Sequence, residues 1–286
     1  MNDPPPEVIE QLKAFLKEDV RSGDITTNAM EPLEGNANAR IYAKEKSLVA
    51  GVEEIAAIAK FSGLQCEVLV FEGNWVEPGQ TVIKLTGPAK TLLIVERLCL
   101  NIIMRMSGIA TKTYRMVQAA RRGNADVRVA ATRKTTPGFR YFEKRAVKVG
   151  GGDSHRYALD DMVLIKNNHI DVVGGVGQAI RLARKAVSFS KKISCEARNL
   201  DEALEAVRAG ADIILLDNFS PEKVHECDAL LKEKELRDRV LLEISGGIDE
   251  TNITAYAGSG IDIISSGALT HSYKSSDYSM KITLDK

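Results

Sequence analysis

The chain is short of several things, and each shortage removes a class of function. It has 286 residues but only four cysteines, Cys66, Cys99, Cys195 and Cys227. None forms a Cys-x-x-Cys pair or stands at zinc-ligand spacing from a histidine, so a disulfide framework and a structural zinc site are both disfavoured. The cysteines read as free thiols of a reducing compartment. Lys and Arg number 39 against 39 Asp and Glu, so the chain has no net charge to draw it to nucleic acid or an anionic membrane. Any basic site must be local. No apolar run approaches the ~20 residues that span a bilayer. Met1–Pro6 lacks the basic and apolar regions of a signal peptide, so a cytoplasmic protein is expected. No Gly-x-Gly-x-x-Gly follows a strand; Gly174-Gly175-Val176-Gly177 has the wrong spacing and stands too far from the preceding apolar run.

What is present is a soluble, core-forming composition, 44% hydrophobic and 27% charged, in a chain long enough for roughly two domains. Pro4–Asp24 carries a helical apolar period at Val8, Ile9, Leu12, Phe15 and Leu16. Ala37–Val49, Gln65–Phe71 and Thr81–Leu85 read as strands, with a turn at Glu77-Pro78-Gly79. Lys90–Arg122 reads as helix interrupted near Ser107-Gly108. The first ~110 residues therefore mix helices with a small antiparallel sheet.

The rhythm then changes. Apolar runs at Val127–Ala131, Met162–Ile165, Ile193–Cys195, Ile213–Leu216, Val240–Ile244 and Ile261–Ser265 alternate with helix signals. These include Val176–Ser188, Asn199 capping Leu200–Arg208, and Ser220 followed by Pro221. Such alternation implies right-handed βαβ units on a parallel sheet. A barrel is favoured over an open Rossmann-type sheet, and six clear strands rather than eight make it an incomplete one. Tyr278–Leu284 alternates again and is expected to return to the first domain. The expected architecture is α/β: an N-terminal α+β domain at residues 1–109, joined by the tail 273–286, and an incomplete parallel α/β barrel at residues 110–272.

Chemistry gathers at the ends of the apolar runs. In order they give Thr132-Arg133-Lys134, Lys166-Asn167-Asn168, Glu196, Asp217-Asn218, Ser245-Gly246-Gly247 and Ser266-Gly267. Ligands bind at strand C-termini in parallel α/β folds. Arg and Lys suit anionic groups, and two acids on adjacent strands suit Mg²⁺ or ribose hydroxyls. Ser-Gly turns suit phosphate, through their backbone N–H groups. The segment from Arg128 to Arg156 is locally basic, which suits a polyanionic small molecule. Within it Arg140, Lys144, Arg145 and Lys148 are spaced like a solvated helix face. Gly150-Gly151-Gly152 alone says little, and His169 reads as a loop or packing residue.

With those residues in place, the chain closely resembles the quinolinate phosphoribosyltransferase family. The stretches that carry the resemblance begin with Ser22–Thr27, Glu96-Arg97 with Leu100-Asn101, and Ser107–Thr111. Thr132–Gly138 is the most specific. Gly150–Arg156, Leu159–Asp161 and Leu164–Ile170 follow, with the run ends from Glu196 to Ser266-Gly267. Two details differ from the family's usual form: Asp153-Ser154 before His155-Arg156, and Asn167-Asn168 where Asp-Asn is common.

The resemblance implies transfer of phosphoribosyl from 5-phosphoribosyl 1-diphosphate (PRPP) to quinolinate with Mg²⁺. The products are nicotinate mononucleotide, CO₂ and diphosphate, in de novo NAD synthesis. It implies a homodimer whose site is shared between subunits, with assembly beyond the dimer left open. Arg97, Thr132, Arg133, Lys134, His155, Arg156 and Lys166 would face quinolinate, Arg97 from the other subunit. Lys134, Lys166, Glu196, Asp217, Ser245, Gly246, Gly247, Ser266, Gly267 and Ala268 would face PRPP. Lys134, Glu196 and Asp217 would be catalytic, the two acids also holding the metal. Three alternatives stay open: a paralogue of this fold found with molybdenum-transport genes, a Schiff-base aldolase using Lys134 or Lys166, and a non-catalytic anion-binding barrel.

Overall fold

A computed structural model describes residues 3–30 and 35–284. The first part contains α1 (Pro6–Val20), α2 (Ile25–Ala29), β1 (Asn36–Ala43), β2 (Ser47–Leu48), α3 (Val52–Phe61), β3 (Gln65–Val68), β4 (Trp75–Val76), β5 (Thr81–Pro88) and the long α4 (Ala89–Arg121). Then come β6 (Arg128–Ala130), α5 (Arg140–Val149), β7 (Val163–Ile165), α6 (Asn167–Val173), α7 (Val176–Ala186), β8 (Ile193–Ala197), α8 (Leu200–Arg208), β9 (Ile213–Asp217) and α9 (Pro221–Glu233). The chain closes with β10 (Leu241–Ser245), α10 (Ile253–Ala257), β11 (Ile263–Ser265), α11 (Ala268–His271) and β12 (Tyr278–Leu284).

Two compact units result. One holds residues 1–112, 141–150 and 273–286; the other holds 113–140 and 151–272. In the first, an antiparallel sheet runs β12-β1-β5-β3. Strand β1 alternates exposed and buried residues, with Ala37, Ala39, Ile41 and Ala43 buried, as a sheet with one covered face requires. The C-terminal strand returns in register, Ile41 opposite Met280.

Three local readings need correction. The expected helix over Pro4–Asp24 stops at Val20 and restarts at Ile25, because Asp24 caps α2 by accepting from Thr27 N–H. The expected interruption of α4 is absent. Ser107 instead turns its hydroxyl to the backbone of Ala50. Gly108 lies where a Cβ would stand 2.3 Å from the Lys274 carbonyl oxygen, so a close chain approach, not a break, explains the glycine.

The third correction concerns α5, whose expected solvated face is largely buried. Lys144 and Glu143 are fully buried, Phe142 stacks near Phe15, and Glu143 pairs with Arg105. Arg145 is enclosed by three carboxylates, Glu53, Glu54 and Glu72. Only Lys148 of the four basic residues is exposed. The spacing was helical as read, but the acids that meet it come from α3 and the β3–β4 loop, far off in sequence.

In the second unit the six strands are all parallel, in the order β6-β11-β10-β9-β8-β7. Their buried runs, such as Ile193–Ala197 and Ile213–Leu216, are what helices on the outer face demand. Strands β6 and β7 form the two edges, and β6 gains a further bridge to Asp153. The segment that follows β6 and Leu164 of β7 nevertheless line one cavity, described below. The sheet therefore curls into an incomplete barrel. Among the described residues, no helix is long and apolar enough to cross a membrane.

Candidate active site

A cavity of about 320 Å³ opens at the C-terminal ends of the six parallel strands. Its lining brings together Thr132, Arg133, Lys134, His155, Arg156, Lys166, Glu196, Asp217 and Ser245 from the residues the sequence singled out. Glu243 and Ser265 join them. Four cations thus share one concavity with three carboxylates.

Each group is held by its own local device. After β6, the Thr132 hydroxyl accepts from Lys134 N–H at 3.1 Å. The buried Thr270 hydroxyl donates to the Lys134 carbonyl at 2.7 Å. These bonds fix the backbone and leave the Arg133 and Lys134 side chains exposed at the rim. Asp153 is hydrogen-bonded alongside β6, through Ala131 N–H to its carbonyl and its own N–H to Val129. Its carboxylate then accepts from His155 N–H at 2.7 Å, where the chain turns with φ of 54°. The next residue, Arg156, is 9% exposed and donates to the Met162 carbonyl. Burial, and then the nearby Arg133, hold the Arg156 guanidinium below its ordinary pKa, with Glu243 and Asp161 opposing.

Lys166 stands at the start of α6, where His169 Nδ1 accepts its backbone N–H at 2.9 Å. His169 is therefore a helix-capping residue, exposed to solvent, rather than a packing residue. The next N–H, of Asn167, donates to Glu196 Oε2 at 2.9 Å, which fixes that acid on β8. Parallel register sets Asp217, Ser245 and Ser265 in one layer. Glu243, opposite Leu215, lies one layer deeper.

The glycine turns beyond this layer are built for close approach. Gly246 has φ of 114°, and a Cβ there would meet Asn218 Oδ1 at 2.1 Å. Gly247 also has positive φ. Ser266 donates to the Ile248 carbonyl at 2.6 Å and accepts from Ala268 N–H, tying the two Ser-Gly loops together. A Cβ on Gly267 would meet Lys134 Cδ at 2.8 Å and His271 Nε2 at 2.9 Å. Gly246, Gly247, Ser266, Gly267 and Ala268 flank the cavity without lining it. Arg97 is an exposed residue of α4 in the first unit and is not a lining residue.

Glu243 and Ser265 are the residues that reading strand ends missed. The signal was present: an acid inside the apolar run Val240–Ile244, two residues before Ser245 and so on the same strand face. Lys134 and Lys166 are exposed, so neither has the desolvated setting of a Schiff-base lysine in an apolar pocket.

Comparison with known proteins then decides the family. The model for the C-terminal domain of quinolinate phosphoribosyl transferase matches residues 109–281, and that for its N-terminal domain matches residues 24–107. The chain belongs to the quinolinate phosphoribosyl transferase family. It is 48% identical over 273 residues to a probable carboxylating nicotinate-nucleotide pyrophosphorylase of Methanocaldococcus jannaschii, covering 95% of each chain. It is 40% identical to the human carboxylating nicotinate-nucleotide pyrophosphorylase, covering 98% of this chain and 93% of the human one. Among solved structures, NadC from Streptococcus pyogenes superposes with a TM-score of 0.91 at 40% identity over 100% of both chains. All the residues that line the barrel-mouth cavity fall within the stretch matched by the family's C-terminal domain.

Proposed function

We propose that this protein joins quinolinate to PRPP and decarboxylates the adduct, releasing nicotinate mononucleotide, CO₂ and diphosphate. One observation carries the reading: a single barrel-mouth cavity combines Arg133, Lys134, Arg156 and Lys166 with Glu196 and Asp217. The cations match a pyridine bearing two adjacent carboxylates and a sugar bearing phosphates. The two outer acids match ribose hydroxyls and a cation that develops in the transition state.

The pyridine nitrogen attacks the anomeric carbon as the bond to diphosphate breaks, its electron pair leaving with diphosphate. Positive charge on the sugar ring is met by Glu196 and Asp217. The new pyridinium then takes up charge as the adjacent carbon–carboxylate bond breaks. CO₂ departs, the electron pair stays on the ring carbon, and a proton replaces it. Arg133 and Arg156 hold the dicarboxylate, while Lys134 and Lys166 bridge the carboxylate and phosphate ends. The turns at Ser245–Gly247 and Ser266–Ala268 offer backbone N–H groups to the 5-phosphate. Positioning and fixed charge supply most of the rate.

Mg²⁺ fits the oxygen donors here. Glu196 and Asp217 would hold it; Glu196 is anchored by Asn167 N–H, and the buried Asn167 Oδ1 has no hydrogen-bond partner among the described residues. Among the described residues no three His, Cys, Asp or Glu converge as a metal cage. Mg²⁺ is usually bound by one or two carboxylates together with substrate phosphates. When bound it would neutralise charge on the diphosphate.

We read the active form as a homodimer in which the exposed Arg97 enters the partner's cavity, as the family resemblance implies. Soluble, cytoplasmic operation goes with this chemistry. The test is incubation with quinolinate, PRPP and Mg²⁺. Nicotinate mononucleotide and CO₂ are expected in equal amounts; a folded protein that yields neither overturns the function. For the shared site, inactive Arg97→Ala and Lys134→Ala proteins should regain activity when mixed under subunit exchange. No recovery despite demonstrated exchange refutes it.

A further inference from the structure

We infer that Glu243 is a positioning residue for the quinolinate end of the cavity, acting through His155 on Arg156. Glu243 is only 2% exposed, in the middle of an apolar strand. A carboxylate so placed is costly unless its oxygens are hydrogen-bonded. Two groups do this: the Ser265 hydroxyl donates to Oε1 at 2.5 Å, and His155 Nε2 lies 3.1 Å from Oε1 and 3.3 Å from Oε2.

The other side of the imidazole fixes its tautomer. Arg156 N–H donates to His155 Nδ1 at 2.7 Å, so Nδ1 carries no proton. The ring proton is on Nε2, and Nε2–H donates to Glu243. Both ring nitrogens thus have partners inside the protein. Its ring is a strut between a deep acid on β10 and the backbone of Arg156.

The strut is needed because the backbone is unfavourable. His155 has φ of 54°, a region a non-glycine residue seldom occupies without support. Support comes from Asp153 on one side and Glu243 on the other. Arg156, next in sequence, takes its direction from that turn. Removing Glu243 loosens the ring and then the turn, and so shifts the backbone from which Arg156 projects, while the guanidinium keeps its bond to the Met162 carbonyl. The substrate carboxylate then loses an aligned cation while the phosphate-binding turns stay as they were.

This inference rests on the cavity being the quinolinate site, and the experiment separates the two. Steady-state kinetics would vary quinolinate and PRPP separately for Glu243→Ala, Glu243→Gln, His155→Ala, Arg156→Ala and the Glu243→Ala/His155→Ala double variant, with circular dichroism checking the fold. Glu243→Ala should raise the quinolinate KM about tenfold, the equivalent of one hydrogen bond, with the PRPP KM within about twofold of wild type. Glu243→Gln keeps an oxygen that accepts from Nε2–H and should recover most of the loss. The Glu243→Ala effect should vanish in the His155→Ala background.

Equal rises in both KM values, or additive effects in the double variant, would overturn the role of Glu243. If His155→Ala and Arg156→Ala leave the quinolinate KM unchanged in an active enzyme, the site assignment itself fails. Should Glu243→Ala not fold, Ser265→Ala carries the test, with an expected rise of about threefold in the quinolinate KM alone. No change there sinks the idea as well.

Discussion

Arg145 offers the sharpest energetic prediction. Its guanidinium donates from Nη1 to Glu72 at 2.9 Å and to Glu54 at 3.1 Å, and Nη2 pairs with Glu72 at 2.6 Å and with Glu53. The Glu54 side chain is fully buried and the Glu72 side chain is 14% exposed. Arg145→Met keeps most of the stem's packing but leaves these acids facing one another. Breaking a buried pair by removing one partner costs about 3–5 kcal/mol, since the stranded charge is the main penalty.

The pH dependence gives the reasoning its own check. Burial pushes Glu54 up to about 7, with Arg145 pulling the other way. A carboxyl whose folded value exceeds its unfolded value binds more protons when folded, so its contribution to stability falls as pH rises between the two. Without Arg145 the folded value climbs further, so the variant keeps losing stability where wild type has levelled off. The loss should therefore be larger at about pH 8.5 than at about pH 6. Trp75, the single tryptophan, lies in β4 of the same unit and reports its unfolding in urea. A loss under ~1 kcal/mol, or one larger at the lower pH, would refute the account.

Other outcomes follow from close approaches and burial. Gly108→Ala gains up to ~1 kcal/mol of helix propensity. Its Cβ would meet the Lys274 carbonyl at 2.3 Å and Ser275 Cα at 2.9 Å, so a net destabilisation of about 1–3 kcal/mol is expected from the Trp75 signal. Gly267→Ala pushes on Lys134 and should lower kcat/KM at least about tenfold with the circular dichroism spectrum unchanged. Gly246→Ala combines positive φ with a clash against Asn218, and should raise the PRPP KM more than the quinolinate KM. Burial pushes the thiols of Cys66 and Cys227 up to about 11 and that of Cys195 up to about 12, and raises that of Cys99 as well. Iodoacetamide at about pH 7.5 should leave activity unchanged over an hour.

Much of the barrel was legible because its signals are local. Ser220 with Pro221, Asn199, and the apolar runs each state their role within a few residues, and α8 and α9 begin where those caps put them. The first unit was less legible because its decisive contacts are remote. Nothing near Arg145 in sequence announces Glu53, Glu54 and Glu72, so a buried ion cluster looked like a solvated face. Gly108 looked like a helix breaker because Lys274, its reason for being glycine, is far along the chain. The site divides the same way. Arg133, Lys166, Glu196 and Asp217 sit at run ends, where ligands are sought; Glu243 sits inside a run, and only its strand face, shared with Ser245, points to it.

The contrast between the units also says where the molecule accepts disfavoured structure. Buried charges in the first unit are paired, Arg145 with three acids and Glu143 with Arg105, although Glu54 Oε1 and the Ser62 hydroxyl there are also buried without a hydrogen-bond partner among the described residues. Around the cavity several departures gather close together. His155 and Asn218 hold positive φ, Asn167 Oδ1 is buried without a partner, and Glu243 is sealed under a histidine. Each of these costs stability, on the order of 1–3 kcal/mol for a strained backbone or an unmet polar atom. Core packing alone would be better served by an apolar residue at 243. A ligand with two carboxylates, ribose hydroxyls and phosphates would use them. Glu243→Leu therefore divides the two explanations: it should leave the protein at least as resistant to urea as Glu243→Ala, while doing nothing to restore quinolinate binding. If it restores the quinolinate KM, Glu243 is there only to fill the floor.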